Sequence, residues 1–157
     1  MDAVDLPEAA YGVEALGRLH EPGDHRRLAE RTADPEVLRV LAGGDYPFVW
    51  RVIARNAATP VEVLAALAER RHSSWDDNDR LKLVAARQDL TVEALDGLVE
   101  VVAERLREGE RPYAAVLLLA RRPEVPVERV TRLGHLPGAS RRLRRGIGRA
   151  LAARPSG

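Results

Sequence analysis

Apolar residues recur along this chain in short helical stripes, and each stripe opens with the same motif. The motif reads Val or Pro, Glu, any residue, Leu or Val, two further residues, and Leu. Apolar residues at i, i+3 and i+6 or i+7 after each start are typical of one face of an α-helix. The pattern therefore predicts one amphipathic helix per copy. The five copies begin at Val13, Pro35, Val61, Val92 and Val127.

A second pattern, an apolar residue and alanine followed closely by arginine, precedes each of the last four copies. The alanine of this pattern lies eight residues before the next motif glutamate in three copies, those of Ala54, Ala85 and Ala120. That fixed separation predicts a rigid corner between two helices, with alanine allowing their close approach. The spacing between motif glutamates grows from 22 to 35 residues, which predicts insertions around Trp75 and around residues 107–111.

The corners also carry residues that start helices. Asp34 and Thr59 each precede a proline. Their side-chain oxygens can accept hydrogen bonds from first-turn amides, and proline is favoured at the first helical position because it has no amide hydrogen to leave unpaired. Thr91 replaces the proline at the next corner, and we expect it to act as the cap itself.

Two short helices per unit, repeated along the chain, predict an all-α fold of the α-solenoid type, in which no unit buries its apolar face alone. The sequence predicts four to five two-helix repeats in a single domain spanning residues 1–157. The repeats are approximately 10–24, 25–46, 47–74, 75–111 and 112–138, and a terminal basic helix follows at 139–154.

Residues 54–68, Ala-Arg-Asn-Ala-Ala-Thr-Pro-Val-Glu-Val-Leu-Ala-Ala-Leu-Ala, resemble the variant leucine-rich repeat family, a bacterial α-solenoid. Residues 28–41 and 120–133 match less closely, and the copies together cover about 13–154. The resemblance implies a right-handed superhelix, an α-helix alternating with a shorter, often 3₁₀, helix, and a binding role without catalytic residues. Because the later units are longer than that family's usual repeat, their short helices are expected to be full α-helices. HEAT-like packing is the near alternative.

The amino-acid composition excludes every site that requires cysteine. Cysteine is absent, which excludes disulfides, thiolate metal sites and cysteine nucleophiles. Neither a signal peptide nor an apolar stretch long enough to span a bilayer is visible. We therefore expect a monomeric cytoplasmic protein that does not bind membranes.

Charge is distributed unevenly. Residues 1–119 hold 15 basic and 22 acidic side chains, a net −7, whereas residues 120–157 hold ten arginines and two glutamates, a net +8. Such asymmetry can mark an interaction surface. Lys82 is the only lysine beside 24 arginines, so part of the arginine excess is typical of GC-rich coding.

The basic segment 140–151 is the strongest candidate binding element. Leu143, Ile147, Ala150 and Leu151 form an apolar stripe, and arginines cover most of the remaining surface. This helix could be the polar cap of the solenoid, or it could bind nucleic-acid phosphates, an acidic protein or anionic lipid. Gly146 and Gly148 weaken it, which argues against membrane insertion. The candidate anion-binding residues are Arg141, Arg142, Arg144, Arg145 and Arg149.

Tryptophan and arginine elsewhere supply the candidate protein contacts. Trp50 and Trp75 could fill the core or could line a groove as binding contacts, since tryptophan and arginine are enriched at interface hot spots. The candidate contacts are Trp50, Arg51, Arg55, Trp75, Arg80, Arg87 and Arg121.

The acidic cluster Asp76, Asp77 and Asp79 is the nearest approach to a catalytic or metal site. A calcium loop would need a turn glycine and a distal glutamate, and neither follows. We therefore expect these acidic residues to cap the first turn of the following helix and to interact favourably with its N-terminal dipole. The four histidines are scattered, no nucleophile–base set is visible, and we expect neither a metal nor a cofactor. The sequence predicts a non-catalytic protein-interaction module, with nucleic-acid binding as the alternative.

Overall fold

The structure is a computed structural model that describes the backbone of residues 8–156 and the side chains of residues 10–156. Throughout this part of the chain the regular elements are all helices, which confirms the all-α class. Two 3₁₀ helices, Glu8–Tyr11 and Val13–Arg18, come first. The α-helices that follow are α1 (Pro22–Arg31), α2 (Pro35–Ala42), α3 (Pro47–Arg55), α4 (Val61–Glu69), α5 (Ser74–Ala85), α6 (Val92–Arg107), α7 (Tyr113–Ala120), α8 (Val127–Leu133) and α9 (Arg141–Ala152).

The glutamate motif forms a helix at every copy. The last four copies are the α-helices α2, α4, α6 and α8, and the first is the 3₁₀ helix Val13–Arg18. The insertion predicted around Trp75 is wrong, because that residue belongs to a helix. Residues 108–111 do lie between α6 and α7, although much of the added length extends α6 itself. Trp75 lies within α5, and α6 runs for 16 residues as far as Arg107. The apolar stripe of α6 continues through the buried side chains of Val102 and Leu106, which keeps this length helical.

Two of the three predicted caps are confirmed. Asp34 accepts from the Glu36 amide at 2.9 Å, and Thr91 accepts from the Ala94 amide at 3.1 Å. At the corner before α4, the Thr59 hydroxyl donates to the Ile53 carbonyl at 2.6 Å, back across the corner. The helix begins one residue after Pro60, which is therefore not the first helical residue. Thr59 is buried, so its hydrogen bond stiffens the join between α3 and α4.

The chain divides into two compact units, Met1–Leu67 and Ala68–Gly157. In the first unit, α1 packs beside α3, and α2 packs against both. In the second unit, α7 lies between α5 and α9, while α6 and α8 contact each other and α7. The second unit thus has a row of α5, α7 and α9 backed by α6 and α8. This arrangement is a two-layer helical packing around one apolar core.

Alanines at the corners are fully packed. Ala29, Ala54, Ala85 and Ala120 are each at most 1% exposed. A larger side chain at these points would need space that close-packed helices do not have. The recurring alanine is therefore a packing requirement, as the sequence pattern predicts.

Hydrogen bonds from long side chains join neighbouring helices within each unit. Asn56 and Arg122 each stand two residues after a corner alanine, and Arg154 stands two residues after Ala152, where the same alanine–arginine pattern recurs at the end of α9. Each acceptor is a carbonyl at or near the C-terminus of the preceding helix in the row. Such carbonyls have no partner within their own helix. Donor–acceptor distances run from 2.7 to 3.4 Å. The pairs are Asn56 with Ala29 and Thr32, Arg122 with Ala85 and Arg87, and Arg154 with Ala120.

Candidate functional site

The amphipathic character of α9 determines which of its residues can bind a ligand. Ser140 caps the helix by accepting from the Leu143 amide at 3.1 Å. Leu143, Ile147 and Ala150 are buried as the sequence predicts, and Leu151 is only half-buried. The five arginines of α9 are all exposed, and the helix contains no acidic residue. The buried stripe therefore docks the helix while its cations face solvent.

A glycine allows α9 to approach α7 closely. A Cβ atom at Gly146 would lie 2.8 Å from Cδ2 of Leu117 on α7, whereas one at Gly148 would meet nothing within 4 Å. At the far end, Arg154 Nε donates to the Ala120 carbonyl at 2.7 Å. The two helices are thus joined near their C-termini and in contact midway along α9.

A groove of about 670 Å³ runs between α7 and α9. Three arginines line it, Arg121 from the end of α7 and Arg142 and Arg149 from α9. Its remaining lining is uncharged, and no acidic residue is among the ten that form it. The uncharged lining residues are Tyr113, Ala114, Leu117, Leu143, Gly146, Ala150 and Ala153.

The three groove arginines have no protein partner among residues 10–156. Within this described part of the chain, no hydrogen bond or ion pair reaches the guanidinium group of Arg121, Arg142 or Arg149. All three side chains are exposed. The groove therefore combines an apolar floor with positive charge that the rest of the described chain leaves unneutralised.

The other arginines of α9 do not line this groove. Arg144 donates to the Gly134 carbonyl at 3.1 Å, which ties α9 to the end of α8. Arg141 and Arg145 are exposed and lie outside the groove lining. The structure therefore separates the five predicted anion-binding arginines. Arg142 and Arg149 join Arg121, which is predicted from the sequence as a protein contact rather than as an anion-binding residue.

Two of the predicted partner contacts are instead buried. Trp50 is 5% exposed, and its indole N–H donates to the Gly44 carbonyl at 2.8 Å. Arg80 is 0% exposed and is held in an ion network described below. Neither side chain lies on a binding surface, so the expectation for both is corrected. For Trp50 the core-filling interpretation is the one that the structure supports.

The remaining predicted contacts are spread over both units. In the first unit, Arg51 is half-buried, and Arg55 is exposed beside a pocket of about 190 Å³. In the second unit, Trp75 is 67% exposed at the start of α5. Arg87 bonds both carboxylate oxygens of Asp89, at 3.0 and 2.9 Å, and this contact lowers the pKa of Asp89. None of these four residues lines the groove between α7 and α9.

A buried ion network lies beneath the N-terminus of α5. One Asp77 oxygen accepts from Arg80 at 2.9 Å, and the other accepts from Arg105 of α6 at 2.8 Å. Asp77 also accepts from the His72 amide at 2.8 Å. Both guanidinium groups donate in addition to the carbonyl of Arg70. This cluster fixes the loop between α4 and α5 against α6.

The electrostatics of the network indicate a structural role. Burial is the largest influence on Arg80 and lowers its pKa, while the hydrogen bond and charge of Asp77 oppose that shift. Two buried cations share one fully buried carboxylate, and Glu110 lies 3.6 Å from Arg105 as a second, weaker counter-charge. Asp76 and Asp77 do stand in the first turn of α5, after the Ser73 cap, as predicted. Asp77, however, is 3% exposed and faces no groove.

The described residues meet the requirements of neither a metal site nor a membrane-spanning helix. In residues 10–156, no three histidine, aspartate or glutamate side chains lie together so as to hold a metal ion. No helix in the same range has the length and apolarity needed to cross a bilayer.

No protein-family model, no curated protein and no solved structure matches the chain.

Alanine substitutions at the two glycines of α9 test the close approach to α7. Gly148→Ala is expected to raise the free energy of unfolding by up to about 1 kcal/mol, because it improves helix propensity and meets no neighbour. Gly146→Ala should gain clearly less, because Leu117 has to move. Urea unfolding followed by circular dichroism measures both variants. Equal gains would show that α7 and α9 are not in this close contact.

Proposed function

We propose that this protein is a non-catalytic protein-interaction module, and that the groove between α7 and α9 is its principal binding surface. The observation that supports this most is the set of three unpaired arginines above an apolar floor. Arginine is enriched at interface hot spots, and partly apolar clefts with a few polar groups are typical binding sites. An acidic side chain of a partner would complete the groove electrostatically.

We further propose that the helices form an α-solenoid of the variant leucine-rich repeat type, with a right-handed superhelix. Support comes from the row of α5, α7 and α9, and from hydrogen bonds that recur two residues after the corner alanines. The same contact in both units is what stacked copies of one unit would require. In such an array, α9 is the last helix of its row and presents the groove at one end.

Affinity capture with matched arginine variants tests the interaction role. Full-length protein is compared with Arg142→Ala/Arg149→Ala and with Arg141→Ala/Arg145→Ala. Both double variants remove two charges from α9, but only the first removes them from the groove. We expect a specific protein partner that is recovered by the parent chain and by the second variant and is lost with the first. Failure to recover any specific protein with the parent chain would contradict the proposal.

Nucleic-acid binding is the second candidate, since five exposed arginines fan out from α9 over more than one face. A phosphate backbone would contact arginines inside and outside the groove, and its affinity would fall steeply with salt. Both double variants should then weaken binding of a single-stranded oligonucleotide and flatten its salt dependence. No binding even at low salt would eliminate this candidate.

A further inference from the structure

The groove between α7 and α9 places its cations at its two ends. Arg142 lies in the first turn of α9, and Arg149 lies seven residues later, about 10.5 Å along the axis at about 1.5 Å per residue. Arg121 directly follows α7. The bond from Arg154 to the Ala120 carbonyl brings the C-termini of α7 and α9 together, so Arg121 belongs to the same end as Arg149. One end thus carries two cations and the other carries one.

The surface between these ends is apolar and closely packed. Leu117 from α7 lies over Gly146 of α9, and Ala150 continues the floor. The groove is deep at this point because Gly146 has no side chain, and a side chain there would occupy the space beside Leu117. An occupant therefore needs an apolar centre with anionic groups about 10.5 Å apart at its two ends.

We propose that the groove docks an acidic amphipathic helix from a partner protein. This proposal rests on the interaction role and specifies the partner's chemistry. The helix carries one carboxylate at position i, apolar residues at i+3 and i+4, and carboxylates at i+7 and i+8. These positions share one helical face, and seven residues of helix span the same length as Arg142 to Arg149.

Charge complementarity favours this occupant. Each guanidinium can take a carboxylate through two parallel hydrogen bonds, and no acidic residue in the groove lining competes for it. The centre of the partner's face meets Leu117 and Ala150, which is the helix-in-groove mode of peptide recognition. A bare polyanion would neutralise the arginines and leave the apolar floor uncovered.

The neighbouring groove between α6 and α8 does not meet the same conditions. It is smaller, about 370 Å³, and two of its three arginines, Arg107 and Arg129 but not Arg132, are already paired with carboxylates of the described residues. Arg129 bonds Asp96 at 2.5 Å and Glu100 at 2.9 Å, and Arg107 bonds Glu104 at 3.3 Å. An acidic ligand there would have to displace carboxylates that the chain itself supplies.

A designed peptide tests the proposal. The probe is an acetylated and amidated peptide of about sixteen residues, a length at which isolated helices begin to be populated. It has glutamate at i, i+7 and i+8, leucine at i+3 and i+4, and alanine and glutamine elsewhere. One control peptide replaces the three glutamates with glutamine. A second keeps the composition but scatters the glutamates and leucines around the helix.

Binding is measured by titration of the full-length protein, with amide chemical shifts to locate the peptide. We expect Arg142→Ala/Arg149→Ala to weaken the probe about tenfold and Arg141→Ala/Arg145→Ala to change it less than about twofold, because exposed charges outside the contact are screened. The Gly146 amide should shift and the Gly148 amide should not. Both control peptides should bind more weakly than the probe.

A charge-swapped pair checks specificity further. A chain with Arg121, Arg142 and Arg149 changed to glutamate should bind a probe with lysines in place of its glutamates and should lose the original probe. This result would exclude a purely structural effect of the substitutions, because the swapped pair regains binding.

Other occupants give distinguishable outcomes. No binding of the probe, or equal weakening by both double variants, overturns the proposal. Preferential binding of oligothymidylate in the same groove assigns it to nucleic acid instead. Self-association of the chain in sedimentation equilibrium that Arg142→Ala/Arg149→Ala abolishes would assign it to a second copy. If the probe fails while captured protein still depends on Arg142 and Arg149, the interaction role stands and only the helical ligand is rejected.

Discussion

Asp77→Ala is expected to lower the free energy of unfolding by about 3–5 kcal/mol, the cost of removing one partner from a buried ion pair. The substitution would leave Arg80 and Arg105, which are 0% and 1% exposed, without their shared carboxylate. Their carbonyl acceptor at Arg70 neutralises no charge. Urea unfolding followed by circular dichroism measures the loss.

A matched aspartate isolates the effect of burial. Asp96 is also paired with an arginine, Arg129, but that carboxylate is about half exposed. Asp96→Ala should therefore cost no more than about 1 kcal/mol. A third variant replaces all three network residues with apolar ones, Asp77→Leu/Arg80→Met/Arg105→Met, and should recover much of the lost stability. A cost for Asp77→Ala no larger than that for Asp96→Ala would show that the network is not buried.

Gly138→Ala is expected to destabilise the protein by about 3 kcal/mol, at the upper end of the range for overpacking. A Cβ atom there would lie 2.5 Å from the carbonyl oxygen of Glu110 and 2.7 Å from that of Leu106. Both are backbone atoms, so rotation of a side chain cannot relieve the clash. The displaced segment also holds two hydrogen bonds, from the Gly138 amide to Leu106 at 2.7 Å and from the Tyr113 hydroxyl to the Gly138 carbonyl at 2.6 Å.

Gly97→Ala is the control for this substitution. Gly97 lies inside α6, and a Cβ atom there would meet nothing within 4 Å. Alanine at this position should stabilise the protein by up to about 1 kcal/mol through helix propensity alone. Opposite signs for the two glycines are the expected result in thermal or urea unfolding. A neutral Gly138→Ala would mean that the loop after α8 does not pack against the end of α6.

The helices, their caps and the buried face of α9 were predictable from the sequence, because each is determined by residues only a few positions apart. The glutamate motif sets out the helices α2, α4, α6 and α8, and the stripe of Leu143, Ile147 and Ala150 sets the buried face of α9. Caps such as Asp34 and Thr91 act on amides two or three residues away. Periodicity and capping chemistry are sufficient for features of this kind.

The contacts between distant segments could not be predicted in the same way. Asp77 and Arg105 are 28 residues apart. Helical periodicity places Arg105 on the buried stripe of α6, three residues after Val102, but no local pattern identifies Asp77 as its partner. The grouping of Arg121 with Arg142 and Arg149 likewise depends on how α7 and α9 pack. One clue was present in the sequence. The residues two positions after the recurring alanines Ala29, Ala54, Ala85, Ala120 and Ala152 are Arg31, Asn56, Arg87, Arg122 and Arg154. Each of these is a long or polar donor, and three of them bond to the preceding helix of the row within their unit.

Site-specific photo-crosslinking in cells tests most directly whether the groove binds a protein. A photoreactive residue replaces Ala114, which is exposed in the groove lining, or Val92, which is exposed on α6 outside it. We expect a discrete crosslinked product from position 114 that protease destroys and nuclease leaves intact. Arg142→Ala/Arg149→Ala should abolish this product, and position 92 should not form it. A nuclease-sensitive product, or the same product from both positions, would contradict a protein-binding groove.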